Sequence, residues 1–190
     1  GENQVGLTVE GSGLAGLKMT TYFFELLNEL EVPTHFISSD FDRNEMRVRE
    51  VTTFGDGLEV ICRYVATGSY YKRYGKYIED GTKLETPIVE FTLKDDERQD
   101  PVASKETLVA LDLLNEEDYN TIAALTVRIS DVVKEKLADK GLELYDIKLE
   151  FGRDKETNDI LLIDEISGGN MRVFKEDENI HPLDIGNYLL

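Results

Sequence analysis

Polar and apolar positions alternate most sharply between Leu142 and Arg172. Asp146, Lys148 and Glu150 fall at every second position, with Tyr145, Ile147, Leu149 and Phe151 between them. Side chains alternate across a strand, so the charged set is predicted to share one face and the apolar set to pack on a core. Ile160 to Ile163 is wholly apolar and stops at Asp164 and Glu165, which predicts a second strand. Gly152 and the polar run Arg153 to Asp159 would join the two as a hairpin. Three carboxylates crowded on neighbouring strands repel one another unless a cation lies among them. Mg²⁺ is bound through one or two carboxylates plus substrate phosphates, and this face offers such carboxylates. A solvated face balanced by Lys148 and Arg153 is the alternative.

Elsewhere the pattern predicts a strand at Val5 to Val9 and a helix over Leu14 to Glu31, closed by Pro33. Leu17, Phe23 or Phe24, Leu26, Leu27 and Leu30 give that helix an apolar stripe. Short strands are expected at Thr34 to Ile37 and Met46 to Thr53. A turn is expected at Phe54 to Gly57, a buried strand at Leu58 to Val65, a loop at Gly81 to Pro87 and a strand at Ile88 to Leu93. Lys94 to Pro101 reads as a charged loop. Asn115 and Gly141 bracket a long amphipathic helix with Ile122, Leu125, Ile129, Val132, Val133 and Leu137 on its buried face. The tail after Phe174 is weakly patterned.

Composition adds three constraints. The chain has 190 residues, of which 41% are hydrophobic, enough for one core or two small lobes. A net charge of −18 argues against a general nucleic-acid surface. The single cysteine, Cys62, excludes an internal disulfide and is expected as a buried apolar residue in a reducing cytoplasm. No apolar run reaches membrane-spanning length.

Charge is also unevenly placed. Val60 to Ile78 contains no Asp or Glu, although a window that long should carry about four by chance. It holds Arg63, Lys72, Arg73 and Lys76 beside Gly68 and Ser69. Arginine forks and close-approaching backbone N–H groups suit a phosphate. A basic patch pairing with the protein's own acids is the other reading.

The string Arg63-Tyr64-Val65-Ala66-Thr67-Gly68-Ser69, followed by Lys72-Arg73, resembles a signature of the SAICAR synthetase (phosphoribosylaminoimidazole-succinocarboxamide synthase) family. Three further blocks agree in order: Pro87-Ile88-Val89-Glu90 with Lys94-Asp95-Asp96 and Asp100-Pro101; Asp146 to Gly152; and Ile163 to Ser167, ending at Met171-Arg172. The resemblance covers nearly the whole chain. It implies an α+β, two-lobed fold: residues 1–60 as the remainder of an N-terminally shortened, β-rich nucleotide lobe, and residues 61–190 as an α/β lobe.

The resemblance further implies an ATP-dependent ligase of purine biosynthesis, which joins L-aspartate to carboxyaminoimidazole ribotide through an acyl phosphate. Arg63, Ser69, Arg73 and Arg172 would bind the ribotide, and Asp146 and Lys148 would be the catalytic pair. Glu59 and Asp164 would contact the ATP, and Glu150 and Asp164 would hold Mg²⁺. The enzyme is expected to be cytoplasmic and homo-oligomeric, with no nucleic-acid or membrane partner. The family's Ser-Pro-Asp is replaced by Ser167-Gly168-Gly169, expected to loosen that loop. The family's opening Gly-Lys-x-Lys strands and closing helix lie outside the sequence, so a shortened enzyme or a partly degenerate paralogue is expected. The alternatives are a small-molecule kinase like those acting on inositol phosphates and a non-catalytic nucleotide-binding relative.

Overall fold

The computed structural model describes residues 4–8 and 13–190. Its elements run β1 (Gln4–Thr8), α1 (Gly13–Glu29), β2 (Phe36–Asp40), β3 (Glu45–Arg49), β4 (Val51–Ala66), α2 (Gly68–Tyr74), β5 (Thr82–Leu93), α3 (Lys105–Ala110), α4 (Glu116–Ala138), β6 (Glu143–Asp154), β7 (Ile160–Ile163), β8 (Met171–Lys175), β9 (Glu178–Asn179) and α5 (Ile185–Leu189). The strand expected at Val5 to Val9 is β1, except that Val9 lies outside the described residues.

Two antiparallel sheets organise these elements. The small one has the order β1-β3-β2, and the large one runs β5-β4-β6-β8-β9. β7 and β8 share the second edge of β6: β7 pairs along Glu150 to Arg153, β8 along Glu143 to Ile147. The sheets meet at residues 33–35, where Thr34 bridges Leu162 and the His35 N–H donates to the Leu162 carbonyl at 2.9 Å. β4 passes through residue 60 without a break, so the lobes expected on either side of that residue share a strand.

The large sheet has one apolar and one charged face, as period-2 patterning requires. Val60, Cys62, Leu149 and Phe151 face α4, which buries Ile122, Ile129, Val133 and Leu137 completely. Each such side chain contributes about 1.5–3 kcal/mol of transfer free energy. Asn115 caps α4 by accepting from the Asp118 N–H at 2.7 Å, and the turn after it closes through Gly141 at φ +75°. Cys62 is fully buried, and burial raises its thiol pKa.

Three local expectations change. Phe54 to Gly57 does not end a strand: it is a bulge within β4, where the pairing register with β6 shifts between Thr53 and Leu58. Gly81 to Pro87 is largely strand, because β5 is an edge strand whose exposed positions tolerate polar residues. The tail after Phe174 forms β9 and α5, which packs against α1.

Candidate active site

Register places the chemistry. Across β4 and β6, Arg63 opposes Asp146, Ile61 opposes Lys148 and Glu59 opposes Glu150. All six therefore lie on the charged face, with a cationic end at Arg63 and an acidic end at Glu59 and Glu150. Four residues of strand separate the ends, roughly 13 Å. β8 adds Arg172 opposite Asp146, and Asp164 follows β7 directly after the pairing of Ile163 with Glu150. A groove of about 500 Å³ runs over this face, lined by Glu59, Arg63, Ser69, Asp146, Lys148 and Arg172 and roofed by Gly168 to Asn170.

At the cationic end Arg63 is almost fully buried, its side chain 3% exposed. Its Nε donates to Glu90 Oε1 at 2.6 Å and its Nη2 to Ser69 Oγ at 2.8 Å. Its Nη1 reaches Asp146 Oδ2 and the Thr67 carbonyl only at 3.5 Å. Arg172 Nη1 approaches the same Asp146 oxygen at 3.5 Å. Arg73 donates to Glu90 Oε2 at 2.5 Å and is not itself part of the groove lining. Burial raises the Asp146 carboxyl pKa, opposed by Arg172 and Arg63 and assisted by Glu90.

Gly68 lets this end close. At φ +60° its backbone is left-handed, and a Cβ there would stand 1.7 Å from Arg172 Nη1. Gly168 is equally constrained: a Cβ would meet the Pro182 carbonyl oxygen at 1.9 Å. The Gly168 turn is held by Asn170, whose Oδ1 accepts from the Ser167 N–H at 3.1 Å. Of the two glycines expected to loosen this loop, Gly168 serves close packing, whereas a Cβ at Gly169 would come no nearer than 4.0 Å to Ser167 Oγ.

At the acidic end Lys94 Nζ lies 2.5 Å from Glu150 Oε1. Burial works against the charge on Lys94, but its hydrogen bond to Glu150 and the fields of Glu150, Glu59 and Asp164 raise its pKa on balance. Burial raises the carboxyl pKa of both Glu150 and Asp164; Lys94 opposes this in each. Asp164 has φ +70°, uncommon outside glycine. Its carbonyl accepts from His35 Nε2 at 3.2 Å, and burial lowers the His35 pKa to about 4 against that bond. Among the described residues no three acid, His or Cys side chains converge tightly enough to hold a metal alone. Two carboxylates on neighbouring strands, Glu150 and Asp164, do fit an Mg²⁺ whose other ligands are phosphates and water.

Lys148 has no ion-pair or hydrogen-bond partner among the described side chains, so it does not balance the acids beside it. Arg153 is also spent elsewhere, on Asp118 and the Asn158 carbonyl. Of the residues singled out in the sequence, Glu59, Arg63, Ser69, Asp146, Lys148 and Arg172 line the groove, whereas Arg73, Glu150 and Asp164 do not; the anchoring role of Glu90 and the counterion role of Lys94 were missed. An acid at the centre of an otherwise apolar run, Glu90 between Val89 and Phe91, was the available signal.

A profile of the SAICAR synthetase family matches residues 2–184. The chain belongs to the SAICAR synthetase family. A phosphoribosylaminoimidazole-succinocarboxamide synthase of Clostridium tetani is 53% identical over 190 residues, covering 100% of this chain and 83% of the relative. Among solved structures, a SAICAR synthetase from structural genomics superposes with a TM-score of 0.85 at 31% identity, covering 93% of this chain and 82% of that one. A second SAICAR synthetase, solved in complex with ADP, gives 0.81 at 31% identity over 92% and 76% of the two chains. Family membership makes the chain an ATP-dependent ligase of purine biosynthesis and fixes the α+β SAICAR synthetase fold. The kinase and the non-catalytic relative gain no support from these likenesses.

Proposed function

We propose that the groove over β4 and β6 is the active site at which this chain joins L-aspartate to carboxyaminoimidazole ribotide at the expense of ATP. The observation that carries the reading is the register: one strand pair sets Arg63 against Asp146 and Glu59 against Glu150, with Lys148 between. Arg63, Arg73 and Arg172 outnumber Glu90 and Asp146 at the cationic end by one charge, which suits the ribotide phosphate. Ser69 adds a hydroxyl already turned toward Arg63. Glu59 and Asp164 face the nucleotide, and Glu150 and Asp164 hold Mg²⁺. When bound, the ion neutralises the phosphate charge and brings ATP into line.

The ribotide carboxylate then attacks the γ-phosphorus of ATP, and ADP leaves. Lys148, unpaired and midway along the groove, stabilises charge on the moving phosphoryl group. The aspartate amine attacks the acyl carbon, phosphate departs, and the amine's proton must go to a base. Asp146 fills that role: burial brings its pKa closer to neutral, and its two arginine contacts at 3.5 Å are loose enough to exchange. The small sheet, stitched to β7 next to Asp164, forms the nucleotide side of the cleft, and the division at residue 60 falls within the strand both sides share.

A cytoplasmic setting is part of the same reading; Cys62 is free and buried, and among the described residues no helix is long and apolar enough to cross a membrane. A homo-oligomer is part of the same reading, and light scattering on the purified chain measures it. The function is tested by phosphate release from ATP. Release that depends on both aspartate and the ribotide is expected, whereas transfer of phosphate to a polyol, or binding without turnover, would overturn it.

A further inference from the structure

Glu90 does not line the groove and takes no part in the steps proposed above, yet both its oxygens are committed. It sits on β5 opposite Ile61, two residue pairs from Arg63 and on the same face, with its side chain 7% exposed. Oε1 accepts from Arg63 Nε at 2.6 Å, and Oε2 accepts from Arg73 Nη2 at 2.5 Å. The guanidinium of Arg63 is thus gripped from behind, at Nε. Its terminal nitrogens are turned forward, Nη2 to Ser69 and Nη1 toward Asp146. The contrast in length is informative: the rear contact is 2.6 Å, the Asp146 contact 3.5 Å.

We propose that Glu90 is the positioning residue of the ribotide site: it fixes the plane of Arg63 through Nε and ties Arg73 to the same anchor. The inference rests on the reading of Arg63 as a ribotide ligand. Asp146, held loosely, stays exchangeable for substrate because Glu90 already compensates the buried Arg63 charge. A planar fork binds an anion with two parallel bonds only when its plane is set, so an unanchored Arg63 loses geometry as well as energy.

The test is a double-mutant cycle with Glu90→Gln, Arg63→Met and the pair, reading KM for the ribotide and for ATP on folded protein. An amide can accept from one arginine but presents N–H groups to the other, so Glu90→Gln should raise the ribotide KM about tenfold or more, the cost of one charge-assisted hydrogen bond. The ATP KM should stay within about twofold. In the Arg63→Met background Glu90→Gln should cost clearly less than it does alone, keeping only the part that acts through Arg73. Additive losses, or equal losses for both substrates on Glu90→Gln, overturn the positioning role. Arg63→Met that weakens ATP and ribotide alike instead overturns the ribotide reading itself. If Glu90→Gln does not fold, Glu90→Asp replaces it in the cycle: the shorter acid keeps the charge but cannot reach both arginines, and the same pattern is expected.

Discussion

Glu59 and Glu150 stand directly opposite one another on β4 and β6, two carboxylates on one face of a sheet. Like charges at that spacing destabilise a strand pair, and Lys94 beside Glu150 is the compensation the chain carries for itself. A magnesium-bound nucleotide would supply a second. The relationship links the stability of the free protein to its chemistry.

Lys94→Met should therefore cost stability although Lys94 is 43% exposed. Breaking a fully buried pair costs about 3–5 kcal/mol; with one partner half in water, about 1–2 kcal/mol is expected by urea unfolding near pH 8. The raised pKa of Glu150 sets the sign with pH: its carboxyl protonates readily as pH falls, so the deficit should shrink in acid. Mg²⁺ with ADP should raise the melting temperature of the variant more than that of the parent. An unchanged stability would mean that Glu150 does not need its lysine.

His35 predicts a distinct pH signature. Burial lowers its pKa from the ordinary 6.5 to about 4, so the unfolded chain takes up a proton before the folded one does. Its contribution is complete above about pH 6.5 and is lost as pH falls toward 4, amounting to about 3 kcal/mol. Asp146, Glu150 and Asp164, with raised pKa values, act in the opposite direction in acid. The comparison must therefore be with His35→Gln, which keeps an N–H for the Asp164 carbonyl. The stability difference, parent minus variant, should fall by about 3 kcal/mol between pH 7.5 and 4. Parallel curves would show that the ring is not held neutral.

Gly168 occupies the place of the family's proline. Restoring it, Gly168→Pro, should destabilise the chain by about 1–3 kcal/mol despite the entropy a proline removes, because the new Cβ meets the Pro182 carbonyl. Thermal unfolding checks this, and a raised melting temperature would contradict the packing argument.

Much of this was legible in the chain because it is written in local periods. The stripe of α4 and its Asn115 cap, the alternation of β6 and the apolar run of β7 each follow from spacing alone. Where sequence misled, a non-local partner had decided the outcome. Asp56-Gly57 reads as a turn, but β6 continues alongside β4 and converts it into a bulge. Thr82 to Thr86 reads as a loop, but β4 offers that segment an edge to pair with. The candidate site divides in the same way. Asp146, Lys148 and Glu150 declare a shared face by their spacing. That Arg63 lies against Asp146, and is held from behind by Glu90, depends on strand registers that no single segment encodes. Arg63 is also more deeply buried than a surface phosphate ligand, so Arg63→Ala leaves Glu90 with Arg73 alone and Asp146 with Arg172 alone and should cost at most about 3–5 kcal/mol in stability, besides weakening the ribotide more than ATP.

The central claim is that one groove has a nucleotide end and a ribotide end, and separate binding titrations of Asp164→Asn and Arg172→Ala test it most directly. Both positions tolerate the change: asparagine accepts the left-handed backbone at 164, and Arg172 is about half exposed. Asp164→Asn should abolish magnesium-dependent ATP binding and turnover while leaving ribotide affinity intact. Arg172→Ala should weaken the ribotide by about tenfold or more and leave ATP unchanged. Undiminished turnover in Asp164→Asn, or equal weakening of both ligands by either substitution, would contradict the account.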